Sequence, residues 1–285
     1  MDEFAAVLKA RAFVRSVDSS AIPVSVESYA AAIGARIKYE PNMQPGEGGC
    51  STVFNGKLII AVNARDLPQR QRFTICHEIA HTVLGLPSEH GVASWSYSRR
   101  PQNEVLCDVF AAELLLPVSK FKPMVDEEEP GFAAIERLAG LFDASLTSTA
   151  SRFATVSNLP CAYVLSESGK VKYCARSRAF REMNAWVALG ISLPAESMAA
   201  QLRNGATVQA PEELNADSWL NDWTNGGMLV EDSRFLSSWD QTLSLIWFED
   251  EDIRTGGPDH RLTYEHDGLA ELDGVLPWPG KSRRR

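Results

Sequence analysis

The segment Phe73-Thr74-Ile75-Cys76-His77-Glu78-Ile79-Ala80-His81-Thr82-Val83-Leu84 holds the residue types best suited to chemistry. Two histidines four apart on a helix stand one turn above each other on one face. Their imidazoles can then reach a single ion at about 2.0–2.1 Å, the usual zinc–nitrogen distance. Glu78, between them, cannot easily share that coordination, but it can approach a water beside the ion, as a general base must. The chain has 5 histidines in 285 residues, so chance would produce this pattern with odds of roughly one in two hundred. Phe73, Ile75, Ile79, Ala80, Val83 and Leu84 make the helix apolar on most faces. Polar groups on a buried helix need partners. A metal and its water would supply them, whereas a surface helix with two histidines would need neither.

A catalytic zinc takes a third protein ligand and keeps one position open. Glu104, in Asn103-Glu104-Val105-Leu106-Cys107-Asp108, lies 23 residues after His81 on a second predicted helix and is the best candidate. Its competing role is that of a helix-start glutamate favoured by the helix dipole. Asp108 shares its face and could accept the remaining N–H of a ligand histidine, which fixes the tautomer and strengthens the ligand. His90 is the rival ligand, in the loop after the Gly85-Leu86-Pro87 stop. The expectation is one zinc ion per chain on His77, His81 and Glu104. Manganese and iron remain open, because histidine and carboxylate accept all three.

The elements that must carry these groups follow from periodicity and punctuation. Residues 2–17 fit a short amphipathic helix. Ser25 is an N-cap for a helix ending at Gly34, and Ala35-Arg36-Ile37-Lys38-Tyr39 alternates as a strand. Asn55-Gly56 between two β-prone runs is a hairpin signal. The metal helix runs over 68–84, from Pro68 to a stop at Gly85 and Pro87. The second runs over 102–116 and is closed by Pro117. An acidic loop spans 126–131, and two shorter helices span 133–142 and 146–155. Beyond Pro160 the pattern turns to β, over 162–165, 171–175 and 241–248. A boundary falls near Asn158.

Length suits two compact domains. No apolar run is long enough to cross a bilayer, and the start lacks the order of a secretory signal. Five scattered cysteines without a CxxC pair point to a reducing cytoplasm rather than a disulfide framework. A net charge of −9 argues against a dedicated nucleic-acid binder.

The motif around His77, Glu78 and His81, followed by Glu104-Val105-Leu106-Cys107-Asp108-Val109-Phe110-Ala111-Ala112-Glu113-Leu114-Leu115-Leu116-Pro117, resembles the ImmA/IrrE family of metallo-endopeptidases. The helix, strand and hairpin over about 23–63 also fit, as does Leu138-Ala139-Gly140-Leu141-Phe142-Asp143-Ala144-Ser145-Leu146. The resemblance covers roughly the first 157 residues, and more loosely Trp219, Glu231 and Thr242-Leu243. It implies zinc on His77, His81 and Glu104, and catalysis by Glu78. It implies an α+β fold: a zincin-like peptidase domain (1–125), a helical, helix-turn-helix-like extension (126–158) and a smaller α/β domain, GAF-like and sensory (159–252). A weakly ordered tail would follow (253–285). It also implies a protein substrate, a DNA-binding helix-turn-helix repressor whose cleavage releases stress-response or mobile-element genes. The family commonly has Ala where Cys107 stands, which leaves the ligands untouched.

The reading is thus a cytoplasmic zinc endopeptidase in which Glu78 takes a proton from water and passes it to the leaving amine. Tyr97 and Arg99 are the nearest polar candidates for a further oxyanion donor. Two other classes compete: a module that sequesters a repressor without cutting it, and a DNA-binding regulator using 138–153. That segment and its approach offer only Arg137, Arg152 and few other cations, too few for phosphate binding. A minor possibility lets the Cys50 thiolate occupy the open metal position.

Overall fold

The computed structural model describes residues 1–17, 21–44, 46–87, 101–207 and 210–249. His90, Tyr97, Arg99 and the 253–285 tail lie outside these residues. The chain is a mixed α/β structure with two sheets. Helix α1 (Glu3–Ser16) starts at Asp2, whose carboxylate accepts from the Ala5 N–H. Helix α2 (Val26–Ala32) is capped by Ser25, as expected. The first sheet has β1 (Ala35–Glu40), β2 (Gly49–Phe54) and β3 (Lys57–Asn63) in the order β1-β3-β2. β1 is parallel and β2 antiparallel to β3. Asn55 and Gly56 both have positive φ (50° and 72°), which the tight hairpin turn demands.

Buried Ile60 and Val62 of β3 join a core with α3 (Pro68–Leu84) and α4 (Gln102–Leu115). Helix α5 (Val118–Asp126) has no signal in the sequence, where Pro117 reads only as a stop. Pro117 ends α4 and also opens α5, because the Glu113 carboxylate accepts the Val118 N–H at 3.0 Å and supplies the missing start signal. Asp126, placed in the acidic loop from sequence, closes α5 instead.

Helices α6 (Phe132–Phe142) and α7 (Leu146–Val156) follow. Leu138, Phe142, Ala150 and Phe153, which gave this segment its helix-turn-helix spacing, are all buried in the core. Arg152 is buried too, and donates to Glu113 Oε2 at 2.5 Å and to the Leu116 carbonyl. It presents no charge to a phosphate.

The second sheet is antiparallel, with β4 (Cys161–Glu167), β5 (Lys170–Arg176), β6 (Glu212–Asn215), β7 (Met228–Leu236) and β8 (Gln241–Trp247) in the order β5-β4-β8-β7-β6. Short helices α8 (Arg178–Glu182), α9 (Met198–Arg203) and α10 (Ala216–Trp219) accompany it. Tyr163, Leu243, Leu245 and Trp247 project into the core shared with α6 and α7. Ala162, Val164 and Ile246 alternate with them and build a second core with Phe180, Ala199 and Trp219. The shared core is therefore continuous across Asn158.

Strand β7 escaped the sequence reading because Glu231-Asp232-Ser233 looks solvent-facing. All three are buried and bonded. Glu231 accepts from the Ala199 N–H and Trp219 Nε1, and Asp232 accepts from the Phe132 N–H at the start of α6. Among the described residues no helix is long and apolar enough to cross a membrane.

Candidate metal centre

Helix α3 is fixed at both ends. Arg72 donates to the Val24 and Asp143 carbonyls, and Gln69 Nε2 donates to Asp143 Oδ1, so the α6–α7 connection braces its first half. At its far end Gly85 adopts the left-handed conformation (φ 67°), which a residue with a side chain resists. The chain doubles back there, and Leu86 offers its carbonyl to His81 Nδ1 at 3.2 Å. In the sequence Gly85 reads as a stop signal only. A left-handed C-terminal residue also returns the next carbonyl to the last turn, which was the available clue.

His77, Glu78, His81 and Glu104 are all buried, although each is polar. His77 Nε2 lies 3.1 Å from His81 Nε2 and 3.0 Å from Glu104 Oε2, and His81 Nε2 lies 3.6 Å from Glu104 Oε1. His77 Nδ1 meets Asp108 Oδ1 at 2.9 Å. A carbonyl and an ionised carboxylate can only accept, so both Nδ1 atoms carry the proton. Each neutral ring then turns a bare lone pair inward, toward the other ring and toward a carboxylate. Three acceptors this close repel one another unless a proton or a cation sits among them.

The donor set fits a metal. Tetrahedral bonds of about 2.0–2.1 Å place ligand atoms about 3.3–3.4 Å apart; the two imidazole nitrogens here are 3.1 Å apart, and the two Glu104 oxygens lie 3.0 Å (Oε2, from His77) and 3.6 Å (Oε1, from His81) away. Among the described residues His77, His81 and Glu104 form a cluster that could hold a metal ion.

The electrostatics agree. Burial lowers the His77 pKa, but hydrogen bonds to Asp108 and Glu104 and the charges of Asp108 and Glu78 raise it more, up to about 9. Without a metal, His77 therefore keeps a second proton at neutral pH among these carboxylates, and a metal would displace that proton. Burial first, then Glu104, Asp108 and Glu78, pushes the Cys107 thiol up to about 12. Cys107 is thus a neutral apolar filler behind the ligands. Cys50 is exposed on β2 and outside the cluster. Partial burial and then Glu78 raise its pKa, so its thiolate is disfavoured.

Strand β2 begins hard against the metal helix. A Cβ on Gly49 would lie 2.5 Å from Thr74 Cγ2 and 2.6 Å from the Ala61 carbonyl oxygen, so only glycine allows this approach. Gly49, at the start of β2, is what lets the sheet edge meet α3.

Residues 30–153 match the peptidase family described as the IrrE N-terminal-like domain. Two curated relatives are named radiation response metalloprotease IrrE. The one from Deinococcus radiodurans is 30% identical over 116 residues, 39% of this chain and 35% of that protein. The one from Deinococcus deserti is 29% identical over 158 residues, 54% of this chain and 53% of that protein. The matches thus span only about a third to a half of those relatives. A solved Mycobacterium tuberculosis transcriptional regulator shares the fold at 11% identity, with a TM-score of 0.58, covering 86% of this chain and 76% of that one.

Proposed function

From the match of residues 30–153 to the IrrE N-terminal-like peptidase family, we propose that this chain is an ImmA/IrrE metallopeptidase, a zinc-dependent endopeptidase of zincin-like fold. His77, His81 and Glu104 would hold the ion, Asp108 would orient His77, and Glu78 would be the general base. The observation that carries this reading is the convergence of two imidazole lone pairs and one carboxylate within 3.6 Å in a buried site. A divalent ion in such a site supplies Lewis acidity toward a carbonyl and lowers the pKa of water toward about 7.

The chain's own residues do the rest. Glu78 is buried beside the cluster, close enough for its charge to act on His77, Cys107 and Cys50. It takes a proton as the water oxygen bonds to the scissile carbonyl carbon. It then returns that proton to the amide nitrogen as the C–N bond breaks. A peptide can approach along the edge of β2, which starts at Thr74 one turn before His77.

The proposed substrate is a helix-turn-helix transcriptional repressor in the cytoplasm, so that cleavage changes transcription under stress. The relatives' radiation-response names support the stress part of this proposal, and the repressor substrate rests on the family resemblance. The sensory, GAF-like role of 159–252 is part of the same proposal, and the separate core on the outer face of the second sheet supports it.

The test is Glu78→Gln. The variant should retain one zinc per chain by elemental analysis, while Glu104→Ala loses it, and peptide cleavage should fall by about 10²–10⁴. Undiminished proteolysis by Glu78→Gln would refute the assignment. A stable complex with a repressor and no fragments would favour sequestration instead.

A further inference from the structure

The hairpin of β2 and β3 carries two large apolar side chains at its tip, next to the turn, Val53 at 69% and Phe54 at 63% exposure. The other end of β2 is pressed against the metal helix. Gly48 accepts the Asn63 N–H at 2.8 Å, one step before the Gly49–Val62 pair. Bonded pairs alternate along an antiparallel ladder. Cys50, Thr52 and Phe54 therefore bond inward to β3, while Gly49, Ser51 and Val53 turn their N–H and C=O groups to the open side. Among the described residues no strand pairs there. This row starts beside Thr74 and ends roughly 13 Å away at the hairpin tip, at about 3.4 Å per residue. An exposed apolar edge invites unwanted pairing unless something uses it.

We infer that Phe54 lines an apolar specificity subsite for the peptide substrate, upstream of the bond that is cut. The inference rests on the peptidase reading of the site at His77, Glu78, His81 and Glu104. A peptide adding antiparallel to β2 runs from the hairpin tip toward the metal helix, so its residues N-terminal to the scissile bond lie along the strand. The residue opposite Phe54 precedes the one opposite Cys50 by four positions, and its side chain emerges on the face that carries Phe54. On that face Phe54 pairs with Lys57, and the next rung joins Thr52, Ile59 and Arg36. Ile59 is half-buried, whereas Lys57 and Arg36 are exposed. A large apolar side chain meets Phe54 and Ile59 there, and a basic one meets like charge. The substrate class is thus an extended segment with a leucine-sized apolar residue upstream of the cut and no lysine or arginine at that place.

The experiment uses fluorescent decapeptides cut by the zinc-loaded full chain, with Leu, Ala or Lys walked through the positions upstream of the bond. Binding is read by anisotropy on zinc-loaded Glu78→Gln protein, and cleavage on the otherwise unaltered chain. Leu about four residues upstream should lower Kd by about tenfold relative to Lys. Phe54→Ser should abolish that preference and raise KM for the Leu peptide, leaving kcat unchanged, and Phe54→Leu should restore it. An unaltered preference in Phe54→Ser, or no preference at any upstream position, overturns the subsite while cleavage continues. A chain that neither binds nor cuts any peptide removes the peptidase reading, and the subsite with it.

Discussion

Both ring nitrogens of His77 are engaged: Nδ1 by Asp108 and Nε2 by the ligand cluster. Asp108 sets the tautomer of His77, as the Leu86 carbonyl does for His81, and a carboxylate in that position makes the imidazole a stronger donor to a metal. Asp108→Ala should therefore weaken zinc binding by about 10–100-fold, measured by competition with a chelator. The pH profile should move as well. With His77 raised to about 9, a proton competes for the ligand below that value, and zinc affinity climbs as pH rises toward it. Removing Asp108 removes a cause of the raised value, so affinity should level off at lower pH in Asp108→Ala. An unchanged profile and affinity would show that Asp108 plays no part. The residue types and spacing announced His77, His81 and Glu104. The Leu86 carbonyl could not be announced that way, because a main-chain acceptor has no side-chain signature.

Helix α3 and strand β2 meet through a contact that only glycine permits. The backbone of β2 reaches Thr74 because Gly49 has no Cβ, and an added methyl would run into Thr74 Cγ2 and the Ala61 carbonyl. The carbonyl belongs to β3 and cannot rotate away, so the strand must shift. Gly49→Ala should cost about 1–3 kcal/mol in urea denaturation, the usual penalty for overpacking. Thr74→Ser in the same chain should recover only part of it, since it relieves the side-chain clash alone. Full recovery would place the strain at Thr74 and not in the sheet. The hairpin, α3, α4, α6 and α7 were legible because their periodicity and stop signals are local. Helix α5 and strand β7 were not. One owes its start to a carboxylate five residues earlier. The other buries three polar residues whose partners sit on α6, α9, α10 and β8.

The first sheet, helices α1–α7 and one face of the second sheet share a single core, in which Ile75 and Ile79 of the metal helix belong with Leu243, Leu245 and Trp247. Cross-links add to it. Asp232 caps α6, Arg234 pairs with Glu136, and Ser151 bonds Tyr173. A ligand that binds only the folded metal site should therefore stabilise the distant sheet too. Zinc at a hundred times its Kd adds about 2.7 kcal/mol to a cooperative unit. In a Trp95→Phe background the six remaining tryptophans all lie after Asn158, so their fluorescence should report a urea midpoint that rises with zinc and falls back with chelator, in step with the far-UV helix signal. A tryptophan transition unmoved by zinc would instead make the part after Asn158 an independent unit.

The amino-acid sequence alone determined the chemistry on offer, since ligand identity and helical spacing are local properties: two imidazoles one turn apart, a glutamate between them and a carboxylate on the next helix. Tertiary structure decided what surrounds them. The packing of α6 and α7 buried Leu138, Phe142, Ala150 and Phe153, and a glycine contact aligned a sheet edge with the metal helix. Such outcomes depend on which distant surfaces meet, and no periodicity within a single segment encodes that.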